Sequence, residues 1–436
     1  MPNGELIRSA PALEAPGPPK PQSWLRSLGP GLITGAADDD PSGIATYSQG
    51  GAQFGYTVAW TVLFTFPLMV GIQLASARIG RVTGRGLTEN FARQFPRPVV
   101  HLLISLLVVA NTINLGADIN AMADAAHLIT HCDPRWMAAG FGLLSLALQV
   151  FLPYARYVRI LKWLTLALFS YIGVAFTAHV DWAAAAHDAL MPHIVWSRDY
   201  ATTIVAILGT TISPYLFFWQ AAQEVEEIRR VPEDKPLRTA PEQVRAQLRR
   251  IKLDTYAGMG VSNLVAFFMI VAAAATLHAH GIVSIETTTQ AAQALEPIAG
   301  RFAYLLFAIG IIGTGLLALP VLAGSAADAI ASLRGWRKGL DQPPGRASAF
   351  YGVLAAAMLV GVAISLAGFN PIKALYWSAV INAVISVPIM VAVMLTASNM
   401  KLMSNIALHT KWKVLGWLAT AAMLAATMVM GYTLLF

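Results

Sequence analysis

The chain has 436 residues, of which 56% are hydrophobic and only 12% charged, a balance that excludes an ordinary soluble domain. The net charge of +7 does not by itself indicate nucleic acid, because basic residues of membrane proteins gather on the cytoplasmic side. A single cysteine, Cys132, excludes an intrachain disulfide and any CxxC metal or redox site. Residues 1–22 are rich in proline and alanine and lack the apolar core of a signal peptide, so they predict a disordered cytoplasmic tail. Apolar runs then recur at about 28–48, 55–77, 99–128, 135–153, 160–178, 201–224, 253–278, 302–331, 348–368, 371–397 and 413–435. Each is long enough to cross a hydrocarbon core roughly 30 Å thick. The fold class expected is an all-α polytopic membrane protein of about 11 transmembrane helices, one domain over 23–436.

Charge tests that count independently. With the N-terminus inside, the even-numbered connections hold Arg78, Arg81, Arg85, Arg93 and Arg97, then Arg156, Arg159 and Lys162, then a basic run from Arg229 to Lys252. Later ones hold Arg334, Arg337, Lys338, Arg346, Lys401, Lys411 and Lys413, whereas the external connections carry only Arg135, Arg198, Arg301 and Lys373. The asymmetry supports both count and orientation. The longest polar stretch, Gln223 to Asp254, predicts a solvated cytoplasmic loop with a short amphipathic helix near Glu242 to Lys252.

Spans one and six share an oddity. The first carries "DDDPSG", Asp38 to Gly43, and the sixth carries "LGTTISPYLFFWQ", Leu208 to Gln220. Proline removes a backbone donor and clashes with the preceding turn, so both helices are expected to unwind there. Unwound backbone inside a membrane is tolerated only when buried in protein or lining a watery cavity. Breaks at matching places five spans apart mark an inverted five-plus-five repeat with a binding site at the midplane. The repeats cover about 28–178 and 201–397, and the helix at 413–435 is an extra. Three aspartates facing lipid would cost roughly 2.5 to 3.5 kcal/mol each, so they are expected to face a polar interior or a cation.

These residues resemble a known family. "LGPGLITGAADDDPSGIATYSQGGAQFGY", Leu28 to Tyr56, is similar to the first span of the Nramp divalent-metal transporters, whose motif there is Asp-Pro-Gly-Asn followed by a "GAQFGY"-like turn. "RIGRVTGRGLTE" from Arg78, "FNPIKALYWSAVI" from Phe369 and "TASNMKLM" from Thr396 also resemble that family. The resemblance implies a leucine-transporter-like inverted 5+5 repeat plus one extra helix, and no enzymatic activity. It also implies a metal site. The family's Asp falls on Asp40, its Asn on Gly43 and its Gly on Ser42, while its span-six methionine falls on Ser213 and its ligating carbonyl on Thr210.

The departures shape the expectation. Soft thioether favours transition metals and hard oxygen suits magnesium, calcium and manganese, so Ser213 in place of methionine and the added carboxylates of Asp39 and Asp38 favour a hard cation. A small residue at Gly43 leaves room for the waters that magnesium surrenders reluctantly. The pattern is similar to the Nramp-related magnesium transporters. Asp40, Asp39, Gly43, Thr210 and Ser213 are the expected metal site, with Asp38, Ser42, Asp118, Tyr215, Gln220 and Asn382 around it. Family proton coupling leans on a second acidic position in span three and on histidines in span six; here Ala121, Tyr215 and Gln220 stand there, none of which titrates near neutral pH. Coupling is expected to be weak or absent. A family glutamine in span ten is replaced by Ala379; Asn382, nearly one turn on, is read as an interhelical hydrogen-bond residue, with substitution for the glutamine through water as the alternative.

The expected function is divalent-cation transport by alternating access, Mg2+ or Mn2+ being the transported ion and no cofactor being required. The expected surroundings are the lipid bilayer of a bacterial inner membrane, with a cytoplasmic N-terminus and no nucleic acid; the sequence leaves the oligomeric state open, a monomer being compatible with it. The alternatives are a proton-coupled Mn2+/Fe2+ importer and a sodium-coupled organic-solute carrier, whose carboxylate substrate "DDD" would repel. An intramembrane aspartyl protease lacks its Gly-x-Gly-Asp signature, since Asp118 follows only "LGA".

Overall fold

The computed structural model describes residues 30–152, 164–340, 342–404, 406 and 408–435. The expected N-terminal tail, and Arg156, Arg159 and Lys162, lie outside the described residues. Those described are helical throughout, with no strand. In chain order the principal helices are α1 (Pro30–Asp38), α2 (Pro41–Phe54), α3 (Ala59–Thr83), α4 (Leu87–Gln94), α5 (Arg97–Thr130), α6 (Pro134–Phe151), α7 (Ser170–Thr177) and α8 (Trp182–Leu190). They continue as α9 (Arg198–Thr211), α10 (Pro214–Arg230), α11 (Val244–Thr276), α12 (Ala303–Arg334), α13 (Ser348–Ser365), α14 (Pro371–Ser398) and α15 (Thr410–Leu435).

By length and apolarity alone, eight helical runs among the described residues could cross a membrane, or nine if the pair α7–α8, bent by 118°, is one span. One run, Pro41–Thr83, contains parts of two expected spans, separated at Gly55, whose φ of +60° is open to glycine without strain. Helix α8 falls in the connection between the fifth and sixth expected spans. Large side chains such as Trp136, Leu143, Phe151, Phe176, Leu359 and Met428 stand exposed on the bundle, apolar surface of the kind a bilayer covers.

Both expected breaks are present. Proline disfavours helical geometry in the residue before it, and both Asp40 (φ −71°, ψ 171°) and Ser213 (φ −79°, ψ 139°) are extended, with Pro41 and Pro214 opening the next half-helix. Span one is thus α1 plus α2, and span six is α9 plus α10. The span-six pair lies at the centre: 94% of its apolar window is buried, against 28% for α15, the peripheral extra helix. Helix α1 seats on α11 where Gly35 meets Gly258; a Cβ on Gly35 would lie 2.3 Å from the Gly258 carbonyl, so only glycine permits this approach. Likewise Gly209 at the end of α9 presses on α14, where a Cβ would fall 2.0 Å from the Ala379 carbonyl.

The polar stretch Gln223–Asp254 departs from expectation. Helix α10 runs on to Arg230 and α11 already begins at Val244, so the amphipathic segment is the first part of span seven and the loop shrinks to residues 231–243. Its charged side chains find partners: Arg250 pairs with Glu224 at 2.5 Å, and Asp234 with the fully buried Arg81 of α3 at 2.5 Å. Breaking such a buried pair would leave an uncompensated charge, so each partner holds the other in place.

Candidate metal site between two broken helices

The site is built from the Asp40 carboxylate outward. As the N-cap of α2 it satisfies backbone donors that a helix start leaves free: Oδ1 accepts from the Gly43 N–H at 2.8 Å and from the Ser42 hydroxyl at 2.6 Å. Oδ2 accepts from Asn114 Nδ2 at 3.0 Å and from the Tyr215 hydroxyl at 3.2 Å, a hydroxyl that lies equally close to the Ala37 carbonyl. One side chain therefore joins the break of span one to α5 and α10. Asn114 extends the link, accepting from the Ser378 hydroxyl of α14 at 2.7 Å.

The other two aspartates point elsewhere. Ser262 of α11 lies 2.6 Å from Asp38 Oδ2 and 3.0 Å from Asp39 Oδ1, so one hydroxyl serves both carboxylates. The second oxygen of Asp38 has no hydrogen-bond partner. Adjacent residues diverge by about 100° on a helix; α1 ends at Asp38, and the extended backbone at Asp40 turns that side chain away from the other pair.

Span six supplies the facing half. The Thr210 hydroxyl is buried without a hydrogen-bond partner. It sits opposite Gly43, where an added Cβ would meet it at 3.3 Å and the Asp38 carbonyl at 3.4 Å. The Ser213 hydroxyl turns back, donating to the Gly209 carbonyl at 2.6 Å and the Thr210 carbonyl at 3.0 Å. The Thr210 carbonyl, the ligand that the resemblance implies, thus already accepts a hydrogen bond in this arrangement.

Three more residues complete the picture. Both oxygens of Asp118 are buried without a hydrogen-bond partner, one helical turn after Asn114. Gln220 accepts from the Thr34 hydroxyl at 2.7 Å. Neither amide atom of Asn382 has a hydrogen-bond partner, so the interhelical bond expected of it is not made among the described residues; α14 docks on α9 through Ala379 and Ala383 against Gly209 instead. Sequence reading missed Asn114 and Ser262. Polar side chains within apolar spans are the signal that could have found them.

The electrostatics favour a cation. The C-terminal ends of α1 and α9 converge here and bring carbonyl oxygens and the negative pole of the helix dipole. Among the described residues no ion pair involves Asp38, Asp39, Asp40 or Asp118. Four uncompensated charges at about 2.5 to 3.5 kcal/mol each would rival the roughly 5 to 15 kcal/mol that stabilises a typical domain, so protons or a cation must neutralise them. No three of His, Cys, Asp and Glu converge as a ready-made cage among the described residues; the donors are oxygens of mixed type.

Both approaches are closed, with the three adjacent aspartates at most 5% exposed. At one end a cavity of about 300 Å³ is lined by Gln49, Asp199, Lys373 and Tyr376, and the Tyr376 hydroxyl bonds to Thr203 at 2.9 Å. Lys373 pairs with Glu286 at 2.9 Å beside it. At the basic end Lys338 pairs with Glu89 at 3.0 Å and Asp328 at 3.3 Å.

Two opposed broken helices around a sealed, carboxylate-bearing centre, wrapped by long apolar helices, define a membrane transporter of the leucine-transporter fold. Residues 31–433 match the family described as Natural resistance-associated macrophage protein-like, or Nramp, and the chain belongs to that family. It is 30% identical over 308 residues to the divalent metal cation transporter MntH of Deinococcus radiodurans, covering 69% of this chain and 67% of that one. It is 24% identical over 407 residues to the MntH of Caldanaerobacter subterraneus, covering 92% and 91%. In fold it is similar to a mutant of the Eremococcus coleocola manganese transporter, with a TM-score of 0.73 at 18% identity over 94% of this chain and 87% of that one. A nucleobase-cation-symport family transporter in a closed conformation shares the fold more distantly, with a TM-score of 0.58 at 13% identity over 93% and 92%.

Proposed function

We propose that this protein carries divalent cations, Mg2+ and Mn2+ above all, into a bacterial cell across the inner membrane, with its N-terminus cytoplasmic and with weak or no proton coupling. The observation that carries the reading is the Gly43–Thr210 approach. Where the family places an asparagine this chain has no side chain at 43, with the partner-free Thr210 hydroxyl and the Asp38 carbonyl close by, and where the family places a methionine it has Ser213, whose hydroxyl turns back on the backbone. Hard oxygens and spare room suit a cation that keeps part of its water.

Asp40 accounts for reversible binding. Its oxygens accept four hydrogen bonds, each worth about 1.5 to 3 kcal/mol to a charged group, so an arriving cation competes with donors that reclaim the carboxylate on release. Spans one and six, hinged at Asp40 and Ser213, rock against the rest and expose the centre alternately to each side. The membrane potential supplies about 2.3 kcal/mol per charge per 100 mV, about twice that for a dication, so import needs no proton.

The unpartnered Asp118 carboxylate favours a second reading, a proton-coupled transition-metal importer, since it stands where the family keeps an acid. Liposomes holding the purified protein, with dyes for Mg2+, Mn2+ and internal pH, separate the two. Divalent entry without acidification is expected; proton influx stoichiometric with metal would establish the second reading, and no divalent entry at all would overturn both.

A further inference from the structure

We infer that the cleft where α3, α11 and α15 meet at the basic end of the bundle holds the phosphate of an anionic phospholipid, at a site separate from the cation path. A cavity of about 240 Å³ opens there. Its wall carries Arg78 of α3, Arg249 and Lys252 of α11 and His409 just before α15, with no carboxylate among the lining residues. Three residues apart, Arg249 and Lys252 share one face of α11, and both are exposed. Other cations of this end are already paired: Arg250 with Glu224, Arg81 with Asp234, and Lys338 with Glu89 and Asp328. Among the described residues Arg249, Lys252 and His409 enter no ion pair. Like charges gathered without a counter-charge repel one another and draw in an anion from outside the chain.

The surroundings make that anion a lipid headgroup. The Lys252 ammonium lies 5.9 Å from the centre of the Tyr256 ring and 5.8 Å from that of Trp412, and the two rings meet edge to face at 5.8 Å. Tyrosine and tryptophan gather where a bilayer meets water, and a lysine beside them holds its charge at the level of the headgroups. Farther along the same two helices Val261 and Leu264 of α11 and Val414 and Leu418 of α15 stand exposed, the apolar surface that acyl chains cover. The cavity is smaller than the roughly 300 to 1,000 Å³ of a drug-sized ligand pocket, so it takes one phosphate group whose tails lie outside. The first turn of α15 opens on it through His409 and Trp412 and adds the positive pole of a long helix. Anionic lipids are recognised by basic pockets of this kind between membrane helices. Helix α11 then carries the effect inward. Two residues after Lys252, Asp254 accepts from the Gly31 N–H at 2.6 Å at the start of α1, so a bound lipid steadies the helix on which the first half of span one is seated.

The test is thermal melting of the purified full chain in neutral detergent, with dioctanoyl phosphatidylglycerol, dioctanoyl phosphatidylcholine and inorganic phosphate as the three probes. For wild type the expected result is a rise of about 3 °C or more with phosphatidylglycerol and less than a third of that with either other probe. Arg249→Gln combined with Lys252→Gln should lose at least half of the rise. Arg93→Gln combined with Arg346→Gln, which removes two exposed cations of the same end outside the cleft, should keep it. No rise in wild type, an equal rise with phosphatidylcholine, or an undiminished rise in the cleft variant would overturn the site. An equal rise with inorganic phosphate would make it a free-anion site and overturn the lipid occupant, and equal losses in both double variants would trace the effect to the overall charge of this end. Should the cleft variant not fold, Lys252→Gln alone reads the same comparison. Each outcome leaves the divalent-transport reading where it stands, since no transport is measured.

Discussion

Gly43 and Thr210 meet face to face across the two breaks, with 3.3 Å between the position a Cβ would take on Gly43 and the Thr210 hydroxyl. Such a contact is tight, so a side chain at 43 must push the hydroxyl aside. Gly43→Asn combined with Ser213→Met puts an amide and a thioether where this chain has space and a hydroxyl. The expected outcome in liposomes is a fall of tenfold or more in Mg2+ uptake and a gain in Mn2+ over Mg2+ selectivity. Unchanged selectivity would assign the choice to the wider cavity.

Asp40→Ala removes the cap of α2 and the centre of the hydrogen-bond web together. Losing an N-cap costs about 1 kcal/mol, but a buried charge disappears as well, so the folded protein should persist. Divalent uptake is expected to drop at least a hundredfold while melting temperature moves little. Uptake that survives would remove Asp40 from the site.

Ser262 gives opposite expectations for two neighbouring substitutions. Ser262→Ala leaves the Asp38 and Asp39 carboxylates without their shared donor and should destabilise by about 1 to 3 kcal/mol. Asp38→Asn removes one of two adjacent carboxylates in a buried place and should raise the melting temperature in divalent-free buffer. Thermal melts of the two variants check the signs; a fall in both would show that Asp38 is neutralised by another route.

Lys373 and Glu286 predict how the proposed external mouth responds to acid. The hydrogen bond from Lys373, then that from Ser284, then the lysine's charge hold the Glu286 carboxyl below its ordinary value of 4.5. A depressed carboxylate keeps its pairing above its ordinary value and loses it as pH falls through the lowered one. If this pair helps close the mouth, closure should be constant from pH 7 to pH 5 and relax only as the pH falls below the ordinary value of 4.5. Glu286→Gln should open it at every pH, read as faster labelling of a cysteine placed at Gln49 in a Cys132→Ser background. Acid opening near pH 6 would contradict this.

Much of the molecule was legible in the chain itself. Pro41 and Pro214 fix two breaks because a residue before proline resists helical geometry whatever surrounds it, and apolar runs of bilayer length announce the spans without reference to any neighbour. Local chemistry also singled out Asp40, whereas Gly43 and Thr210 came from the resemblance to the Nramp family. The extent of α11 escaped the sequence because Arg250 looks like a loop residue until Glu224 of α10 is brought against it. Nor could the sequence divide three consecutive aspartates between two walls, which Asn114 and Ser262 do from 74 and 224 residues away. A residue's type and its immediate neighbours set backbone geometry and transfer cost. Which hydrogen-bond donor reaches a carboxylate, and whether an amide such as Asn382 is left without one, depends on side chains distant in sequence, and only packing of the helices brings these together.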